Sequence, residues 1–227
     1  MYLPTRLRKF LKRYRRLRGG AERADEVFTR WAASGRDEGM QRHHTPAVEE
    51  MLAAAFSALG AVGAFTAIDA GCGNGWTVRR LRAAPGCRNA TGVDASAGMI
   101  EKARALDPDG HYVRADLTTW RPEEPVDLVV SMEVLYYFDD PVALLRRIAT
   151  HWLKPGGVAV LGIDHYKENE PSLSWPADLR TRMKTWPEAR WLSALEEAGF
   201  TVLRAWHADA GPGKAGTLAM LARAPRA

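Results

Sequence analysis

From Phe65 to Asp164 the chain changes character every few residues. Short apolar runs (FTAIDA, NATGVDA, HYVRAD, VDLVVSM, GGVAVLGID) take turns with stretches of helical spacing (TVRRLRAA, AGMIEKARAL, DPVALLRRIATHWL). Strands that alternate with helices are joined by crossovers, and crossovers build a parallel sheet covered on both faces. The end of the chain breaks this rule. After the helical EARWLSALEEAG come two strands, TVLRAWHADA and TLAMLARA, separated only by GPGKAG. So short a link permits an antiparallel hairpin and no crossover. The expected fold is α/β: a doubly wound, mostly parallel sheet with a reversed last strand.

The segments before the sheet differ in charge. Residues 1–20 hold eight basic side chains and no acid, whereas the rest of the chain holds 24 basic against 27 acidic. The high pI therefore belongs to an arm and is no evidence that the body binds nucleic acid. Leu3, Leu7, Phe10, Tyr14 and Leu17 recur at spacings of four and three, one stripe of an amphipathic helix that Gly19-Gly20 would end. Such an arm suits a helix packed on the domain, contact with an anionic membrane or RNA, or an organellar presequence. Residues 21–36 read as a helix closed at Ser34-Gly35. A second should start at Thr45-Pro46, with Thr as N-cap and Pro at the first helical position. Three parts are thus expected: the basic helix 1–20, a helical cap 21–60, and a main domain 61–227. No apolar run of ~18 residues exists to span a membrane. Cys72 and Cys87 stand in unrelated contexts, which argues against a disulfide framework or a zinc site and for a reducing, cytoplasmic compartment, at most peripheral to a membrane.

An open α/β sheet binds ligands beyond the carboxyl ends of its strands. The first strand runs into IDAGCGNGW, with Asp69, Gly71, Gly73 and Gly75. Read as the dinucleotide fingerprint G-x-G-x-x-G, the third glycine falls on Trp76. Asp94 ends the second strand, 23 residues past Gly71, where an acid can accept from ribose hydroxyls. Asp116 ends the third strand, Met132 and Glu133 the fourth, and Asp164, His165 and Tyr166 the fifth. A glycine turn or a strand-end Asp alone is weak evidence, but acceptors recurring at the right end of successive strands point to a nucleoside site.

With these residues the chain resembles the class I S-adenosylmethionine (SAM)-dependent methyltransferases, which have a Rossmann-like sheet with a reversed last strand. IDAGCGNGW is similar to their first motif, GVDAS to the second-strand acid, RADL to the adenine-side acid and LKPGGVAVL to the approach to the fifth strand. MEVL resembles the small-molecule and quinone-type branch, and WAASGRDEGMQRHH and HYKENEPSLSWP resemble an uncharacterised subgroup. The resemblance spans roughly residues 45–224. It implies SAM as cofactor, S-adenosylhomocysteine as product, and no metal. Gly71 and Gly73 would border the methionine part of SAM, with Asp69 supporting that loop. Asp94 would hold the ribose, Met99 and Ala95 the adenine faces, and Asp116 the adenine amino group beside Leu117; Met132 would lie near the methyl group. With no pyrophosphate to seat, Trp76 is no defect.

Methyl transfer from a sulfonium is an in-line displacement that needs a base only when the nucleophile must lose a proton. Candidate bases are His165 and Tyr166 after the fifth strand, Glu133, Tyr136 and Tyr137 after the fourth, and His43 and His44. Residues 165–187, with three prolines and two tryptophans, read as an acceptor-side lid opposite a wall made by the chain through His44. Trp31, Trp175 and Trp186 would make its pocket aromatic, or else pin the lid to the core. A small-molecule or lipid-like acceptor is expected. The rivals are an RNA or protein methyltransferase guided by the basic arm, against which SMEVLYY lacks N/D-P-P-Y, and a catalytically silent SAM-binding assembly protein. No feature of the sequence sets an oligomeric state.

Overall fold

The computed structural model describes residues 21–60 and 63–226, so the basic arm lies outside the described residues. A seven-stranded sheet in the order β3-β2-β1-β4-β5-β7-β6 forms the centre. Its strands are β1 (Phe65–Ala70), β2 (Cys87–Asp94), β3 (His111–Arg114), β4 (Val126–Met132), β5 (Leu153–Ile163), β6 (Thr201–Ala208) and β7 (Thr217–Arg223). The first five run parallel; β7 runs antiparallel to both β5 and β6. The hairpin thus folds back so that its second strand, not its first, meets β5. Burial accounts for that choice. In β7 every residue from Thr217 to Ala222 is buried, whereas β6 is exposed or half-buried up to Ala208 and leaves Leu203 exposed at the sheet edge. A strand apolar on both faces belongs inside the sheet.

Helices α1 (Ala24–Ser34), α2 (Arg36–Leu59), α3 (Trp76–Arg82), α4 (Ala97–Leu106), α5 (Pro141–Arg147), α6 (Trp175–Asp178) and α7 (Glu188–Glu197) surround the sheet. Val48, Met51, Leu52 and Ala55 of α2 join Val78 and Leu81 of α3 and Ile100 of α4 on one face. Leu144 and Leu145 of α5 and Trp191 and Leu195 of α7 fill the other, with Trp152 between them.

The helix expected to start at Thr45-Pro46 instead starts at Arg36 and carries Pro46 in its interior. Gly35, at φ 72°, closes α1 and opens α2 with no loop between. Asp37 and Glu38 suit the first turn of α2. Thr45 does not cap; its hydroxyl donates to the Gln41 carbonyl, 2.7 Å away, inside the helix. An interior proline costs about 3 kcal/mol. Burying Val48, Met51 and Leu52 returns about 1.5–3 kcal/mol each, so packing outweighs it. The same packing makes α2 a layer of the main domain, not a separate cap.

Gly75 shows why the glycine turn can be G-x-G-x-G. It caps α3 at φ 77°, and a Cβ there would stand 2.4 Å from Cε1 of Tyr112 in β3. The third glycine is needed for a neighbouring strand's ring, not for a pyrophosphate. Gly75→Ala should lower the unfolding free energy by about 2–4 kcal/mol, combining left-handed strain with overpacking. Urea unfolding of the two proteins checks this, and a loss below about 1 kcal/mol would contradict it.

Candidate active site

At the carboxyl ends of β1 to β4 lies a cleft of about 760 Å³. Its floor is the turn after β1, and its roof comes from α1, α2 and the segment around Thr181 and Arg182. Gly71 (φ 81°) and Gly73 (φ 52°) both hold left-handed backbone, for different reasons. A Cβ on Gly71 would strike Val134 at 2.2 Å, so this glycine permits close packing. A Cβ on Gly73 would meet nothing nearer than the Met99 sulfur at 4.0 Å, so this one faces open cleft.

Asp94 shapes the floor. One of its oxygens accepts the Gly73 amide at 2.9 Å and the other the Ser96 amide at 2.8 Å. A carboxylate has about four lone-pair sites, so both oxygens can still accept from a ligand. Burial raises its pKa, and those amides oppose the rise. Asp69, expected to support the loop, lies just before it near the end of β1. It is buried, and its Oδ2 has no hydrogen-bond partner among the described residues. Burial, with the nearby Asp94 charge, pushes its pKa up to about 8. Ala95, Met99 and Leu117 line the cleft beside Asp94. Asp116 does so too, with Oδ1 holding the Thr118 amide and hydroxyl, both at 2.8 Å.

The roof is tied to the floor by residues that the motif reading passed over. Asn74 Nδ2 donates to Asp37 at 2.9 Å, and Lys102 Nζ donates to the same buried carboxylate at 2.9 Å. Gln41 accepts more weakly from Asn74, at 3.4 Å. Asp37, Gln41 and His44 are spaced four and three apart, one polar face of α2. That stripe is visible in the sequence once the helix is started at Arg36. Phe28 of α1 adds an aromatic wall, edge-on to Tyr137 at 5.5 Å.

Met132 and Glu133 end β4 in the cleft. Glu133 is buried at φ 63°, a strained conformation for a side chain of its size. It accepts the Asp164 amide on Oε1 and the Tyr136 hydroxyl, at 2.7 Å, on Oε2. Burial, with the Asp164 charge, pushes its pKa up to about 8. His44 reaches over from α2, its Nε2 3.4 Å from Asp164 Oδ2.

Four expected site residues lie elsewhere. His165 is fully buried and outside the cleft. Its Nδ1 meets the Ser172 carbonyl at 3.0 Å and its Nε2 the Thr185 hydroxyl at 2.8 Å, so neither ring nitrogen is free. Burial lowers its pKa, which suits a neutral structural ring. Tyr166 is equally buried and donates to the Gly216 carbonyl at 3.0 Å. His43 is exposed on the outer side of α2 and does not line the cleft. Tyr136 is buried behind Glu133, and Tyr137 takes the place in the cleft.

Nor do Trp31, Trp175 and Trp186 make the pocket, whose lining tryptophan is Trp76. Trp175 stacks on His165, Trp186 packs on Trp191, and Trp31 packs on Phe28. Residues 165–187 are pinned down by Lys167–Trp186 and Lys184–Tyr136 backbone bonds, and Thr181 bridges to Glu22 beside the cleft.

A family model described as "Methyltransferase domain" matches residues 8–205. The trans-aconitate 2-methyltransferase of Azoarcus sp. (strain BH72) is 36% identical over 109 residues, 48% of this chain and 42% of that protein. The chain spans less than half the length of the curated relatives it matches first. Among solved structures, a chain from the complex between the Haloferax volcanii Trm112 methyltransferase activator and a methyltransferase superimposes with a TM-score of 0.75. It is 29% identical, and the match covers 88% of this chain and 98% of that one. An S-adenosylmethionine-dependent methyltransferase from Mesorhizobium loti gives a TM-score of 0.62 at 25% identity, over 75% of this chain and 95% of its own.

Two outcomes follow from the site. His165→Ala should cost about 2–4 kcal/mol of stability by orphaning buried partners, and should leave the cleft's ligand affinity unchanged; thermal unfolding beside calorimetry separates the two effects. Asp69 and Glu133 have folded pKa values of about 8, above the unfolded carboxylate value of about 4. The folded state then holds protons that the unfolded state has lost, so the ligand-free protein should lose stability as pH rises from about 4 to about 8. Asp69→Asn and Glu133→Gln should each flatten that fall, read by urea unfolding across the range.

Proposed function

The chain belongs to the class I SAM-dependent methyltransferase family, and we propose that it moves the methyl group of SAM to a small-molecule acceptor. The observation that carries this reading is the acid-lined cleft at the strand ends, where a buried Asp69 oxygen lacks a partner among the described residues. Bound SAM supplies an already activated methyl group on a sulfonium and an ammonium that would complete Asp69. Asp94 would accept from the ribose hydroxyls on the lone pairs that the backbone leaves free. Asp116 would accept from the adenine amino group through Oδ2, with Ala95, Met99 and Leu117 holding the ring. Gly73 offers the open backbone against which the methionine part can lie. Met132 and the aromatic wall of Phe28 and Tyr137 would exclude water from the methyl group. In an in-line displacement, alignment and water exclusion supply much of the acceleration.

The trans-aconitate of the relatives' names is not carried over to this chain. A tricarboxylate needs several free cations, and acids outnumber arginines around this cleft. Arg23 pairs with Asp25, and Arg147 donates to the Thr119 and Trp120 carbonyls, each at 2.9 Å. Among the described arginines of the cleft, only Arg182 has no such partner. An acceptor with at most one negative charge fits better. The membrane or RNA contact read into residues 1–20 gains no support from the relatives and plays no part in this reading.

Calorimetry should detect SAM and S-adenosylhomocysteine binding at one site per chain. Asp94→Ala should weaken SAM by about 1–3 kcal/mol, the scale for an unpaired buried polar contact. No binding of either compound would overturn the reading.

A further inference from the structure

Where the β4 and β5 ends meet the cleft, three side chains from different elements converge. The nearest nitrogen or oxygen atoms of His44, Glu133 and Asp164 all lie within 4.8 Å of one another. His44 is the one histidine among the described residues that line the cleft. We propose that His44, oriented by Asp164, accepts a proton from the acceptor during methyl transfer, so that the acceptor is a hydroxyl or ammonium compound. This rests on the methyltransferase reading above and adds the chemical class of the substrate.

The geometry divides the roles. Asp164 lies 3.4 Å from Nε2 of His44 and is itself fixed by the Thr217 hydroxyl, 2.5 Å from Oδ1, so it acts as a positioning residue. Nε2 is the ring nitrogen beside Asp164, and a neutral ring that keeps its proton there has its lone pair on Nδ1, which has no protein partner among the described residues. The imidazole therefore has an anchored end and a free one, the arrangement a general base requires. Glu133 sits beside the pair, its two oxygens held in place by the Asp164 amide and the Tyr136 hydroxyl.

The charged groups facing His44 are Asp164 after β5, Glu133 after β4, and Lys214 from the β6–β7 turn. Burial works to lower the histidine's pKa and Lys214 adds to that, but Asp164 and Glu133 outweigh both and leave it raised. Burial works to raise Asp164, and His44 and Thr217 hold it below the usual carboxylate value. The pair therefore stabilises the imidazolium that forms. The step balances. The acceptor atom bonds to the methyl carbon as the carbon–sulfur bond breaks, and the electron pair stays on sulfur. A hydroxyl proton passes to Nδ1 as oxygen attacks, and the positive charge moves from the sulfonium to His44; an ammonium gives its proton to Nδ1 first, which frees the lone pair that attacks, and the sulfonium charge then rests on the methylated nitrogen. A carboxylate acceptor has no proton to give and would not need this device.

The test uses the full chain with methyl-labelled SAM and a panel of catechol, 4-hydroxybenzoate, ethanolamine and putrescine, with trans-aconitate as the proton-free comparison. Transfer is expected to a hydroxyl or amine. With that acceptor, His44→Asn and His44→Gln should each lose at least ~100-fold in kcat, the lower range for general-base catalysis, while binding S-adenosylhomocysteine within twofold of wild type. That binding also reports that the variants fold. The wild-type rate should climb with pH through an apparent pKa above the ordinary histidine value of about 6.5. Asp164→Asn should move that limb to lower pH, and His44→Asn should abolish it. His43→Asn, exposed one position away, should match wild type.

Several outcomes overturn the inference while leaving the methyltransferase reading intact: SAM binding with no transfer to any protonated acceptor, transfer confined to trans-aconitate, or an unchanged rate in both His44 variants. Activity lost in EDTA and restored by a divalent cation also overturns it, since the three side chains would then serve a metal. Failure to bind SAM or S-adenosylhomocysteine would instead strike the parent reading.

Discussion

Asp94 accepts the Gly73 amide on one oxygen and the Ser96 amide on the other. The turn after β1 and the start of α4 are therefore held by one side chain at the end of β2. Much of the cleft follows from that hold. Gly73 keeps its left-handed backbone open to the cleft, and Ser96 accepts the Met99 amide at 3.3 Å as the cap of α4, which brings Met99 to the same wall. A carboxylate near two backbone amides is stabilised as an anion, and burial works against that. The net rise in pKa shows that burial wins without a ligand.

The same tension recurs at Asp69 and Glu133, whose pKa values are pushed up to about 8. Isolated buried acids destabilise a fold, and Glu133 adds backbone strain at φ 63°. These costs cluster in the cleft, away from the two buried apolar clusters that flank the sheet. A cationic ligand would relieve the acids that the protein leaves unpaired. Asp37 makes the contrast, since its buried carboxylate already has Lys102 and Asn74. It is a structural tie between roof and floor, whereas Asp69 Oδ2 has no partner among the described residues.

The part of the cleft at the strand ends could be placed in advance because its residues follow those ends. A strand end places a residue by topology alone, and Asp69, Asp94, Asp116 and Met132 all reach the cleft. The opposite part could not, because it is assembled from α1, α2 and residues 165–187. His165 also follows a strand end, yet its ring turns into residues 165–187 and is consumed by Ser172 and Thr185. His44 faces the cleft because α2 starts at Arg36, and the Thr45-Pro46 signal hid that start. The tryptophans misled for a related reason. Large aromatic surface is as useful for fastening a lid to a core as for lining a pocket, and composition does not distinguish the two.

By itself the sequence determined the parallel sheet, the reversed hairpin strand and the glycine-and-acid frame at the strand ends. These rest on local periodicity, link length and turn chemistry, which act over a few residues. Only the tertiary structure decided that β7 enters the sheet ahead of β6, that Gly75 makes room for Tyr112, and that His44 rather than His165 meets the cleft. Each of those outcomes depends on burial between segments far apart in the chain. Which surface is covered, and by what, is settled when the layers pack.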